Sequence, residues 1–285
     1  MRVRLTLVGL LLGAFVLLPT SASAVTGGTY DGNGHPYVAY LSNGVEACSG
    51  TLLSPTVMLT AAHCFSTTTS TLGTNASGAP LVAVSFDPAL AAEPSAARTW
   101  HVGSYYFDPQ FGPTGNGLPK GDSHDVAVVI FSNADGCAAP QLPNWSCGPI
   151  PAATTNGQYG ALPAQGLVDT LKNNTPVDLV GYGVEEILRG GGKPQNGQSG
   201  LRFYGQTTLI ASHDRMSGEF LKLHSGSCFG DSGGPDLLGG TNVVLAENSF
   251  VNNNVCAGNT YSYRVDTPQA LSWIAGTVAA NGGQL

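Results

Sequence analysis

The hexapeptide Gly230-Asp231-Ser232-Gly233-Gly234-Pro235 sets a serine among glycines. Glycine permits a tight turn that exposes the serine Oγ and leaves neighbouring backbone N–H groups free to meet a developing oxyanion. Such a serine attacks an acyl carbon only when a base removes its proton and a third group fixes that base. The chain supplies both types. Leu59-Thr60-Ala61-Ala62-His63-Cys64 brings an apolar run to a histidine, and Asp125-Val126-Ala127-Val128-Val129-Ile130 opens a buried strand on an aspartate. In chain order the three are His63, Asp125 and Ser232, the residue types of nucleophilic acyl transfer.

Groups this far apart in sequence need a rigid frame to meet. Segments 37–41, 51–53, 57–60, 81–84 and 126–131 are short and rich in β-branched residues, which predicts strands, and a second series follows at 177–182, 201–210, 243–246 and 261–265. A stretch rich in Pro, Gly and Asn, from about 140 to 165, reads as the linker between the two series. Thr267 can cap a helix with Pro268 in its first turn and Ala270, Trp273, Ile274 and Val278 on one face. That helix is a packing element without chemistry.

Composition narrows the partners. With 11 Lys and Arg against 18 Asp and Glu, the chain lacks the clustered cations that phosphate binding needs, so nucleic acid is not expected as a partner. The first 24 residues carry Arg2 and Arg4, an uncharged run from Leu5 to Leu18, then Ala22-Ser23-Ala24, the pattern of an export signal. Loss of its two arginines moves the formal net charge from −7 to −9. The apolar run is short for a membrane anchor and no lipid-accepting cysteine follows, so the mature chain is expected to be secreted, extracellular or periplasmic, and free of the membrane. In an exported chain, 6 cysteines imply three disulfides, for which sequence alone allows 15 pairings.

With Thr60-Ala61-Ala62-His63-Cys64, the Asp125 strand and the Gly230–Pro235 hexapeptide in this order, the sequence resembles the chymotrypsin-like, or trypsin-fold, serine endopeptidases over about residues 25–278. The resemblance implies an all-β fold: two six-stranded antiparallel barrels with the active site between them, and a C-terminal α-helix. The expected division is a signal peptide (1–24), a barrel carrying His63 and Asp125 (25–150), a barrel carrying the nucleophile and specificity pocket (151–265), and the helix and tail (266–285). It assigns Ser232 as nucleophile, His63 as base and Asp125 as its orienting carboxylate. Asp122 is a rival for that last role, but it sits in the turn-like Gly121-Asp122-Ser123-His124, whereas Asp125 begins the matching strand. His124 is read as an exposed neighbour. The backbone N–H groups of Gly230 and Ser232 match the oxyanion hole. Among the cysteines, the resemblance implies that Cys48 pairs with Cys64 and Cys228 with Cys256, leaving Cys137 for Cys147.

The resemblance also places a substrate pocket. Its floor is Gly226 rather than the aspartate that would pair a basic side chain, and Ser249 opens the substrate-binding strand beside the aspartate. Val251 and Thr260 stand where roomier pockets keep glycine, so small or medium apolar side chains are expected before the cut. Val25-Thr26-Gly27-Gly28 follows the signal directly and matches the segment whose new amino group activates relatives by pairing with the aspartate before the nucleophile, here Asp231. The competing reading is an ordinary mature terminus that stays outside. Loop 66–80 holds no carboxylate, so no calcium or other metal is expected, nor any cofactor. The expected partners are a protein or peptide substrate and a proteinaceous inhibitor of the same cleft, acting on a monomer. Two other functions fit such a chain: a non-catalytic binding protein, and an esterase or single-target protease.

Overall fold

The computed structural model describes residues 25, 28–90, 97–112, 121–132, 142–184, 187–188, 195–196, 200–212, 217–224, 226–251, 256 and 258–285. The expected signal segment 1–24, Cys137, the loop 252–255 and most of 185–199 lie outside the described residues.

The first strands are β1 (Thr29–Tyr30), β2 (Val38–Ser42), β3 (Ala47–Ser54), β4 (Val57–Thr60), β5 (Leu81–Ser85), β6 (Trp100–Phe107), β7 (Ala127–Ile130) and β8 (Trp145–Cys147). After them come β9 (Pro176–Gly181), β10 (Ile187–Leu188), β11 (Gln195–Asn196), β12 (Phe203–Ala211), β13 (Phe220–Leu223), β14 (Pro235–Leu238), β15 (Val244–Val251), β16 (Thr260–Arg264) and the helix α1 (Pro268–Ala280). They build two closed six-stranded antiparallel barrels. In the first, the order β5-β2-β3-β4-β7-β6 closes through β5–β6 pairing; in the second, β12-β13-β16-β15-β14-β9 closes through β12–β9. Closure leaves no unpaired strand edge within either ring.

Two further strands tie the barrels to their surroundings. β8 runs parallel to β6, and β1, although first in the chain, pairs with β12 of the second barrel (Thr29 opposite Tyr204). The linker is stitched down rather than loose: Ile150 N–H donates to Pro55 O at 2.7 Å, Gly160 N–H to Leu52 O at 2.9 Å, and Ala161 N–H to Asn242 O at 2.8 Å. One apolar cluster joins Leu41, Leu52, Met58 and Val128 of the first barrel to Tyr182 and Tyr263 of the second and to Ala270, Ile274 and Val278 of α1. The barrels therefore share a core.

Arg202, just before β12, is fully buried and crosses that boundary. Its Nη1 donates to Val38 O at 2.9 Å, to Phe86 O at 3.1 Å and to Tyr182 Oη at 3.1 Å, while Nε pairs with Asp31 at 2.9 Å. Each of these oxygens satisfies part of a charge that would otherwise be costly to bury. At the other end of the chain, the Thr267 hydroxyl caps α1 by accepting from Ala270 N–H at 3.2 Å. The residues beyond α1 return to the first barrel, where Gln284 O accepts from the hydroxyls of Ser54 and Thr56.

The second barrel also buries acids. Asp236, on β14 opposite Ala246, is fully enclosed, and neither oxygen meets hydrogen-bond geometry although the Ser262 hydroxyl lies alongside. Burial pushes its carboxyl up to about 8. Because the folded state holds this proton more tightly than the unfolded chain, the contribution of Asp236 to stability is full below the ordinary carboxylate range and is lost as pH rises towards 8. Urea midpoints should therefore fall between pH 5 and pH 8, and fall less in Asp236→Asn; an equal fall in both proteins would remove Asp236 as the cause.

Candidate active site

His63 follows β4 on a single 3-10 turn, Ala62–Cys64, and Asp125 stands just before β7, the strand paired with β4. Register brings them together. His63 N–H donates to Asp125 Oδ1 at 2.8 Å, and its Nδ1 meets Asp125 Oδ2 at 2.9 Å. Oδ2 also accepts from the Ser249 hydroxyl on β15, so the second barrel contributes to the carboxylate's cage. A carboxylate only accepts, so its contact assigns the proton to Nδ1 and leaves Nε2 as the basic nitrogen.

The charges reinforce one another. Burial would raise Asp125, but the His63 charge and the hydrogen bonds from His63 and Ser249 hold it below the ordinary aspartate value. Burial works against the His63 cation, but the Asp125 charge, their hydrogen bond and Glu46 outweigh it and lift His63 above the ordinary histidine value. Asp122 is placed elsewhere, accepting from Tyr263 Oη at 2.8 Å. His124 departs from the sequence reading: its side chain is only 19% exposed, with Nδ1 at 3.2 Å from Asp108. Its backbone sits at φ 51°, in the left-handed region.

Ser232 and His63 line one cavity of about 250 Å³, together with Ser227, Cys228, Phe229, Asn248, Ser249, Phe250 and Val251. The turn that carries Ser232 is held from the first barrel. Ser49 on β3 donates its hydroxyl to Gly230 O at 2.9 Å, accepts from Tyr182 N–H at 2.9 Å, and donates its own N–H to Ser232 O at 2.8 Å. Nothing in the sequence singled out Ser49; its neighbour Cys48 was the only mark. Phe229 O accepts from Val184 N–H at 2.8 Å. Across a trans peptide this turns the Gly230 N–H the opposite way. Gly230 itself is at φ 96°, and a Cβ there would meet Gly183 Cα at 2.9 Å, so only glycine fits.

Beneath the turn lies Asp231, 1% exposed, accepting from Gly183 N–H and Cys228 N–H, both at 2.9 Å. The Val25 backbone nitrogen also donates to it, and the Val25 side chain is buried against Gly205 and Gly226. Burial still pushes Asp231 up to about 6. The other expected pocket residues separate. Val251 lines the cavity, whereas Gly226 faces Leu179 and Thr260 is buried, its Oγ1 3.2 Å from the Ser227 hydroxyl. Phe250 forms a wall by stacking on Tyr261, with centroids 4.8 Å apart.

Disulfides join Cys48 to Cys64 and Cys228 to Cys256, and Cys147 is also bridged. Cys48, His63 and Cys64 bring ligand-type atoms within 4.8 Å of one another, but the sulfurs are bonded to each other and offer no thiolate to a metal. Among the described residues no helix is long and apolar enough to cross a membrane.

The sequence profile of the Trypsin family matches residues 24–274. The chain belongs to the Trypsin family. Solved structures agree in fold. Human heparin binding protein superposes with a TM-score of 0.59 at 17% identity, covering 91% of this chain and 99% of its own. HL collagenase superposes with a TM-score of 0.56 at 20% identity, covering 90% and 98%. No curated protein matches the chain. One of these proteins is named for binding and the other for cleavage, so shared fold does not decide activity.

The His63–Asp125 coupling has a direct readout. Titration of His63 followed by NMR should give a midpoint above that of an unpaired histidine, and Asp125→Asn should bring it down; an unmoved midpoint would contradict the coupling.

Proposed function

We propose that this Trypsin-family chain is an exported serine endopeptidase. The observation that carries the reading is the hydrogen-bond chain from Ser249 through Asp125 to His63, with Ser232 in the same cavity. In the proposed reaction, Ser232 Oγ attacks a peptide carbonyl carbon while His63 Nε2 takes the hydroxyl proton. The N–H groups of Gly230 and Ser232 receive the oxyanion, a contribution worth roughly 10²–10³ in rate per donor in well-studied cases. His63 then returns the proton to the departing amine, and water hydrolyses the acyl-enzyme by the same path. Asp125 stays ionised throughout and stabilises the imidazolium.

Small or medium apolar side chains suit the cavity best. Val251 and the Phe250 wall limit its width, and no carboxylate is among the described residues that line it, so a basic side chain finds no counter-charge. A protein or peptide is the substrate, a proteinaceous inhibitor fits the same cleft, and the enzyme acts as a secreted monomer. Heparin binding does not carry over from the structural relative, because a chain with 11 Lys and Arg and a pI near 5.2 has little to hold a polyanion.

Activation on this reading is removal of residues 1–24. The Val25 side chain and backbone nitrogen already occupy the site beside Asp231. With a peptide bond before it, Val25 sits at φ 52°, an unfavourable backbone for a β-branched residue. Cleavage abolishes that restraint, since φ needs a preceding carbonyl. It also replaces a neutral amide by an ammonium beside a buried carboxylate.

Intact-mass spectrometry of the secreted protein treated with an organophosphonate should show one adduct, absent in Ser232→Ala, and turnover of alanine-type substrates should exceed that of arginine substrates. No adduct on a Val25 terminus would overturn the catalytic reading, and a clear preference for arginine would overturn the pocket assignment. A protein retaining one extra residue before Val25 should lose most of its probe reactivity; full reactivity would refute the activation pair.

A further inference from the structure

A second and larger cleft, of about 750 Å³, opens where the linker crosses between the barrels, and it shares no lining residue with the Ser232 cavity. His35, Tyr37, Tyr159 and Tyr204 give it aromatic walls, and Asp178 on β9 supplies a carboxylate. The His35 and Tyr204 rings stack, with centroids 5.2 Å apart and 15° between planes, and Tyr37 meets His35 edge-on at 5.9 Å. These are fixed surfaces.

Asp178 is held in place by donors. Its Oδ1 accepts from Tyr204 Oη at 3.0 Å and Gln206 Nε2 at 2.9 Å, and its Oδ2 accepts from Gly240 N–H at 2.7 Å. An ionised carboxylate has about four acceptor sites, so Oδ2 retains capacity for a further donor. Among the described residues no lysine or arginine lines the cleft. Arg202, whose charge reaches Tyr37, is fully buried and committed to Asp31 and the oxygens of the barrel junction. Burial, and after it the charges of Asp31 and Asp178, push the Tyr37 hydroxyl up to about 12 against the opposing charge of Arg202. The Asp178 carboxylate attracts a cation, and tyrosine faces add cation–π attraction.

We propose that this cleft is a separate binding site for a basic side chain, the guanidinium or ammonium of an arginine or lysine in an extended polypeptide, held between the tyrosine rings and Asp178. The volume exceeds one side chain, which leaves room for the flanking backbone, and the exposed Gln158, Thr241 and Asn242 at the rim offer it hydrogen bonds. An anionic ligand would meet repulsion from Asp178, with no lysine or arginine among the described lining residues to offset it and with the lining's His35 ring engaged with Asp31 at 2.6 Å. The site stands whether or not Ser232 is a nucleophile.

The test uses Ser232→Ala protein carrying ¹³C-labelled tyrosine, so that no catalysis intervenes. N-acetyl-arginine amide and its uncharged isostere N-acetyl-citrulline amide are titrated separately, and the ring signals of Tyr37, Tyr159 and Tyr204 are followed by NMR. Saturable shifts at these rings, with the arginine probe bound about tenfold tighter than the citrulline probe, are expected. Asp178→Asn should remove that preference. Tyr159→Ala, at the rim, should weaken arginine binding severalfold and serves the same purpose if Asp178→Asn fails to fold. Equal response to both probes, shifts confined to other tyrosines, or saturable binding of cellotetraose in place of arginine would overturn the proposal.

Discussion

The site depends on the joint that Ser49 makes between the barrels. Its hydroxyl and amide reach three points of the second barrel, Gly230 O, Tyr182 N–H and Ser232 O. One residue of β3 thus fixes both the turn that presents Ser232 and the strand end that backs it. The joint is buried, so each group has its partner in the protein rather than in water, and a shift of one barrel against the other would leave several polar groups unpaired at once. Arg202 does the same at the hydroxyl end of Tyr182, where a full charge raises the cost of separation.

On this frame the carboxylates take different roles through their surroundings. Asp125 is surrounded by donors from His63 and Ser249, which hold its carboxyl below the ordinary value. Glu247, on β15 two residues before Ser249, is buried without a hydrogen-bond partner for either oxygen, and burial together with the Asp125 and Asp236 charges holds its carboxyl well above the ordinary range. Asp231 lies between these cases: amide donors favour its charge, burial opposes it. Hydrogen-bond supply, more than depth, sorts them.

Much of this was legible in the sequence, for physical reasons. His63, Asp125 and Ser232 stand out because glycine-flanked serine, histidine after an apolar run and an aspartate opening a buried strand have few structural uses together, whereas Ser249 is placed only by the family resemblance. Strands with plain β-branched patterns, such as β4, β7 and β9, fall within a residue or so of expectation. β6 was missed because Trp100–Phe107 mixes His101, Gly103 and Ser104 with aromatics while burying both faces, so no alternation shows. β14 was missed because it begins at Pro235 within the serine hexapeptide and carries a buried acid. Ser49 was invisible because its value lies wholly in contacts more than 130 residues away, which no local pattern encodes. Gly226 and Thr260 show the reverse limit: alignment gave them a place near the pocket, but whether a side chain lines a cavity is decided by neighbours such as Leu179 and Ser227.

The closing segment has a consequence for how the molecule is made. Residues 268–284 follow both barrels in the chain, yet they cover Val57 and Ile130 of the first and accept hydroxyl donors from Ser54 and Thr56. During synthesis the strands bearing His63 and Asp125 emerge long before this cover, and long before β15 brings Ser249 to the carboxylate. An incomplete chain therefore carries an apolar patch and no cleft. Timing of assembly is written into the topology, and a half-made molecule holds His63 and Asp125 without the turn that carries Ser232.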